Sequence, residues 1–134
     1  MPSEFVAREA QAAALDTWYT LTGDGAGGTK SSYMVSSGKS RIAKVIMGLS
    51  SGAAASKQIL LCRLSGSGIV GGNQVITGPV ANNTGTAVTA MGAPAFALNT
   101  DIGVVAGGTI EIEAKLTGTG DSGTPEVAIG IEVV

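Results

Sequence analysis

"GGTIEIEAKLTGTG", Gly107–Gly120, alternates strictly. Ile110, Ile112, Ala114 and Leu116 fall on one side of an extended chain; Thr109, Glu111, Glu113, Lys115 and Thr117 fall on the other. A period of two specifies a strand with one face in a core and one in water. "TPEVAIGIEVV", Thr124–Val134, repeats the pattern, with Val127, Ile129, Ile131 and Val133 opposite Glu126, Ala128, Gly130, Glu132 and Val134. Between the two, "GTGDSGTP" has turn chemistry. The pair therefore reads as a long antiparallel hairpin. Its register is well specified, because a one-residue slip would turn every Ile to water. No polar tail follows the closing strand, and partner chains are expected to cover it, with Val133 and Val134 at the contact.

Strand signals continue upstream. "RIAKVIMGLSS" (41–51) places Ala43, Val45, Met47 and Leu49 on one face; its β-branched residues and the Ser-Ser-Gly that follows favour a strand over a helix. In "KQILLCRLSG" (57–66), Leu60, Cys62 and Leu64 share a face. Ile59 and Leu61 make its second face apolar, so cover on both sides is expected. "TWYTLT" (17–22) and "SSYMVSS" (31–37) read as strands, "SGKS" as a turn and "GDGAGGTK" as a flexible loop. "GGNQVITGP" and "GTAVTAMG" read as strands separated by "PVANNTG". One or two short pieces follow around Phe96 and Ile102, and Pro79 and Pro94 mark edges or turns.

Pro2–Leu15 differs. It is rich in Ala, Glu, Arg and Gln, which favour helix, and Ser3 is a candidate cap. Its apolar face, Phe5, Val6, Ala10 and Ala13, is thin. It is expected to be an arm ordered against something else, or a short helix on its own domain. The fold class is then all-β: a two-sheet antiparallel sandwich, jelly-roll-like, with an N-terminal arm or helix at 1–15 and the sandwich at 16–134.

Composition points to assembly. The 134 residues suit one domain, and only 13% are charged, against about 25% in typical soluble domains. A surface of Ser, Thr, Gly, Ala and Asn suits a subunit covered by neighbours better than a free monomer. Net charge is −2 with 8 Lys and Arg, which speaks against nucleic-acid binding. Lys30, Lys39, Arg41, Lys44, Lys57 and Arg63 lie in the middle, whereas Glu111, Glu113, Glu126 and Glu132 lie near the end. The readings are cross-strand pairs within one subunit, chance, or complementary faces between subunits.

Catalytic and metal motifs are poorly represented. Histidine is absent and Cys62 is the one cysteine, which removes Ser-His-Asp and Cys-His catalysis and His-ligated zinc. Cys62 is expected to be a small buried hydrophobe. Gly38, Lys39 and Ser40 match the end of a phosphate loop, but Tyr33 stands where its first Gly belongs and no helix follows. Asp24, Asp101 and Asp121 are isolated loop acids without the spacing of a calcium site. Glu111 and Glu113 have few aromatics for a sugar cleft. The Asn82–Thr84 sequon is short enough to arise by chance. Glu4 and Glu9 interrupt any signal-peptide core, and no apolar run of about 20 residues is present for a membrane span. No catalytic residue, cofactor or metal is expected.

"LDTWYTLTGDGAGG" (15–28), "YMVSSGKSRIAKVIMGLSS" (33–51) and "LCRLSGSGIVGGNQVITGP" (61–79) together resemble small jelly-roll structural proteins of tailed phages and archaeal viruses. The resemblance covers Asp16 to Pro79. It is carried by a Trp-containing first strand, a Gly-rich loop, and Val35, Gly38, Ser40 and Ile42 in a V-x-x-G-x-S-x-I arrangement. It implies a capsid or capsid-decorating protein of the virion, assembled in the host cytoplasm. The implied partners are copies of itself, as a trimer or other homo-oligomer, and other shell proteins, with no nucleic acid and no membrane. Terminal arms clasp neighbours in such proteins. Phe5, Trp18 and Tyr19 are the candidate aromatic anchors at subunit contacts, the alternative for Trp18 being a place in the core. A cell-surface or filament subunit built by strand addition, and a carbohydrate- or calcium-binding module, are the competing classes.

Overall fold

The computed structural model describes residues 3–11, 16–24, 27–50, 56–83, 96–119 and 126–134. The strand expected at 85–92, Pro94, Asp121 and the turn at 120–125 lie outside them. Nine strands are described: β1 (Glu4–Gln11), β2 (Tyr19–Thr20), β3 (Tyr33–Met34), β4 (Arg41–Ser50), β5 (Ser56–Ser65), β6 (Gln74–Asn83), β7 (Phe96–Gly103), β8 (Thr109–Thr119) and β9 (Glu126–Val133). They form two antiparallel sheets packed against each other. Sheet 1 has the order β1-β9-β4-β7; sheet 2 has β2-β8-β5-β6, with β3 also on β8. The chain is thus an all-β sandwich.

Its pairing is nested. β5 pairs with β6, β4 with β7, β2 and β3 with β8, and β1 with β9. The chain is one long hairpin closed at residues 66–73, whose successive rungs fall alternately in the two sheets. Pairing of β4 with β9 and of β5 with β8 then rolls the hairpin up. The closing turn is fixed by Gly66, at φ 115°. A Cβ there would collide with the carbonyl oxygen of Thr109, so only glycine fits. Gly68 N–H donates to the same carbonyl at 2.8 Å.

The strict alternations fill the space between the sheets. Ile110, Ile112, Ala114 and Leu116 of β8 and Leu60, Cys62 and Leu64 of β5 line one side; Val127, Ile129, Ile131 and Val133 of β9 line the other, all 2% exposed or less. Each such aliphatic side chain contributes about 1.5–3 kcal/mol by leaving water. Burial pushes the Cys62 thiol up to about 12, with the Glu113 charge adding to it. The thiol is therefore neutral and acts as an apolar filler.

Four expectations need correction. First, β8 and β9 are not a hairpin. They lie in different sheets, so their apolar faces meet across the core. Alternation says which face is buried and is silent on the neighbour. Second, β9 is an inner strand of sheet 1 and its Val133 is 0% exposed. The subunit's own core covers it, so Val133 is no subunit-facing residue.

Third, residues 4–11 are neither helix nor free arm but an edge strand on β9. Val6 and Arg8 on its inner side are buried. The Arg8 guanidinium donates to the carbonyls of Ala7 (2.9 Å) and Ser32 (3.4 Å). Glu4 accepts from the hydroxyls of Tyr33 (2.6 Å) and Ser36 (2.9 Å), and these bonds hold its carboxyl below the usual range. Sheet pairing and these tethers override the helical propensity of Ala, Glu and Arg. Fourth, β6 runs through Pro79 to Asn83, in place of the expected break between two strands with Pro79 marking an edge or turn. It does so as an edge strand, where Ile59 pairs with Val80 and Leu61 already with Thr77. The extra residue at Gly78–Pro79 is a bulge, which accommodates a proline without N–H.

A second irregularity lies at Ile42–Lys44 of β4. It brings Ile42 into the core beside Val45 and Met47, although strict alternation had put Ala43 there. Thr100 Oγ1 donates to the Ile42 carbonyl at 2.7 Å where the ladder is interrupted.

Candidate interaction faces

With the inner faces consumed by the core, the residues left for function lie on the outer faces and the end turns. On sheet 2 several outward side chains of β5 and β8, with Trp18, form one connected polar cluster. Arg63 sits between Cys62 and Leu64 and opposite Glu113 in the β5–β8 register. Its Nε and one terminal nitrogen donate to the two Glu113 carboxylate oxygens at 3.1 and 2.8 Å, and Ser65 Oγ donates to the same carboxylate at 2.7 Å. The Arg63 guanidinium lies 4.3 Å from the Trp18 ring centre and the Lys115 ammonium 5.2 Å from it, both within cation–π range. The Arg63 guanidinium, then Ser65, hold the Glu113 carboxyl below its ordinary value against the opposing effect of burial. Each group's charge or donor meets another within the same chain.

Sheet 1 presents a different outward surface. Its rows, read across β1, β9, β4 and β7, are Phe5–Glu132–Lys44–Asn99 and Ala7–Gly130–Ile46–Ala97, then Glu9–Ala128–Gly48 on the first three strands. The Phe5 ring lies over Gly130, where any Cβ would strike it, yet Phe5 remains 56% exposed. Lys44 and Glu132 are cross-strand neighbours, both half-buried. Neither makes an ion pair or side-chain hydrogen bond among the described residues.

The five expected contact residues thus separate. Phe5 is outward and exposed. Trp18 is outward and half-buried beneath two cations, not in the core. Tyr19 points inward opposite Ala114 and packs, half-buried, against the core. Its hydroxyl is buried without a partner among the described residues, and burial raises its pKa. Val133 is core, and Val134 is half-exposed with its backbone tied to Ser40 and Arg41. Gly38, Lys39 and Ser40 form the turn between β3 and β4, with Gly38 at φ 86°, which is not the strand-to-helix corner of a phosphate loop. Gly28 N–H donates to Asp24 at 2.9 Å, closing the Gly-rich loop on itself. The Arg63–Glu113 pair realises the cross-strand reading of the uneven charges; parity had placed both outward without revealing that β5 and β8 are neighbours.

Comparison with known proteins finds no matching family model, no matching curated protein and no matching solved structure.

Proposed function

We propose that the chain is a jelly-roll, non-enzymatic structural subunit of a virus particle, a capsid or capsid-decorating protein that acts by homo-oligomeric assembly. The observation that carries the reading is the nested pairing: a single four-rung hairpin rolled into two sheets, two rungs in each, is compatible with a jelly roll, a fold used by viral shells, lectins and cupins. Fold alone does not choose among these. Cupin chemistry relies on histidine ligands, and this chain has 0 His. Large aliphatic side chains occupy the space between the sheets, and 13% charged residues suit a surface shared with neighbours.

Strand addition fits less well. The β1 edge is engaged at Glu9, whose N–H and C=O bond Gly23 at 2.9 and 2.7 Å, and the β6 edge carries the Pro79 bulge. Tethered in this way, β1 supports assembly through sheet faces rather than through a clasping arm.

The test is the state of the purified chain. Sedimentation velocity and negative-stain microscopy are expected to show a discrete closed oligomer or shell-like assembly. A monomer at every concentration that binds defined glycans on an array would overturn the reading in favour of a carbohydrate module.

A further inference from the structure

We infer that the outer face of sheet 1 docks on the same face of a second copy, about a two-fold axis running along the strands between β9 and β4. The inference rests on the assembly part of the function proposed above and is independent of the virion. Register fixes what such an axis exchanges. Across the β9–β4 midline, Glu132 stands opposite Lys44, Gly130 opposite Ile46 and Ala128 opposite Gly48. One strand further out, Ala7 flanks Gly130 and Ala97 flanks Ile46. The axis therefore lays Lys44 of each copy on Glu132 of the other, at two symmetric points beside the axis, and Ala7 on Ala97 one strand further out.

Charge selects a second copy as the occupant. Lys44 and Glu132 are adjacent, opposite in sign and unpaired among the described residues, on a face that also carries Phe5, Glu9, Asn99, Ile46 and small residues. A partner carrying one sign of charge satisfies one of them and repels the other. An isologous copy satisfies both, because the pattern is complementary to itself under the two-fold. Gly48 and Ala128 carry nothing larger than a methyl, which favours close approach of two sheets there, while the Phe5 ring fills the place over Gly130. Docking also covers Phe5, the large apolar side chain this face leaves in water. On sheet 2, by contrast, Arg63, Glu113 and Ser65 are already paired with one another.

The experiment is sedimentation velocity on Lys44→Glu, on Glu132→Lys, and on their equimolar mixture, over a concentration series that spans wild-type association. In either variant alone, like charges meet at both contact points, and the apparent Kd is expected to rise at least tenfold. The mixture is expected to recover association, because the two variants bring opposite charges to both points. A purely intrachain role for the two residues cannot give that recovery. Thermal melts of each variant establish that the monomers are folded. A mixture no better associated than its components overturns the inference. A wild-type oligomer indifferent to both substitutions overturns this face and leaves assembly standing; a wild-type monomer throughout the series overturns both.

Discussion

The outer faces of the two sheets share one core and one chain, yet they treat polar groups in opposite ways. On sheet 2, Trp18, Arg63, Ser65, Glu113 and Lys115 meet one another, and the Arg63–Glu113 pair lies within 2.8 Å. On sheet 1, Lys44 and Glu132 lie side by side without a side-chain bond among the described residues, next to an exposed Phe5 and a floor of Ala and Gly. The charges of one cluster meet one another, and those of the other do not meet among the described residues. A charged fraction of 13% is therefore a poor guide to either face taken alone; the distribution of unmet charge carries the information.

Both surfaces depend on the same inward alternation, so the largest effect comes from inverting it. Ile110 is 1% exposed. Ile110→Asp places a carboxylate where nothing pairs with it, at a cost of at least several kcal/mol, comparable with the ~5–15 kcal/mol stability of a whole domain. The expected result is loss of the cooperative thermal transition by circular dichroism. Wild-type melting would mean that β8 faces the other way, and that Arg63 and Glu113 do not share an outer face.

That inward pattern was legible because alternation is a local property. Ile110 to Leu116, Leu60 to Leu64 and Val127 to Val133 each declared their buried side unaided. Partnership was not legible. β8 and β9 looked like a hairpin because both are amphipathic and a turn separates them, but two such strands bury the same area whether side by side or face to face across a core. The bulge at Ile42–Lys44 shifted the phase of β4 by one residue, so that Ile42 replaced Ala43 inside. Residues 4–11 carried helix formers and became a strand, because β9 offered an open edge and Glu4 found Tyr33 and Ser36. Outward residues such as Arg63, Glu113, Lys44 and Glu132 were identifiable as outward, whereas the bonds among them depend on which strands are neighbours.

A smaller effect tests the closed face. Arg63→Ala leaves the Glu113 carboxylate, whose side chain is 13% exposed, with Ser65 as its remaining described partner. The expected cost at pH 7 is about 1–3 kcal/mol in chemical denaturation, and the Arg63→Ala/Glu113→Ala double variant is expected to recover part of it. The folded-state pKa of Glu113 lies below its ordinary value of 4.5. Its contribution is therefore present in full above the unfolded-state value and is lost as pH falls through the lower folded one. The penalty of Arg63→Ala should accordingly shrink in strongly acidic buffer. A penalty equal at neutral and acidic pH would show that packing of the Arg63 stem on Trp18, and not the ion pair, closes this face.

The smallest effect belongs to the open face and is read from its sign. Gly130 is not among the glycines with positive φ, so alanine is conformationally acceptable there, and an extended glycine ordinarily forfeits about 0.5–1 kcal/mol relative to alanine. The obstacle is the Phe5 ring lying on it. The tip of that ring is free to swing toward solvent, so Gly130→Ala is expected to cost less than about 1 kcal/mol in the wild-type background. In a Phe5→Ala background the obstacle is gone, and the same Gly130→Ala change is expected to stabilise by roughly 0.5 kcal/mol. Denaturant titrations of the four chains give the coupling directly. Additive effects would place the Phe5 ring away from Gly130 and remove the aromatic from the surface that distinguishes sheet 1 from sheet 2. A reversal of sign fixes the ring on that face, poised at the flank of the Lys44–Glu132 pair.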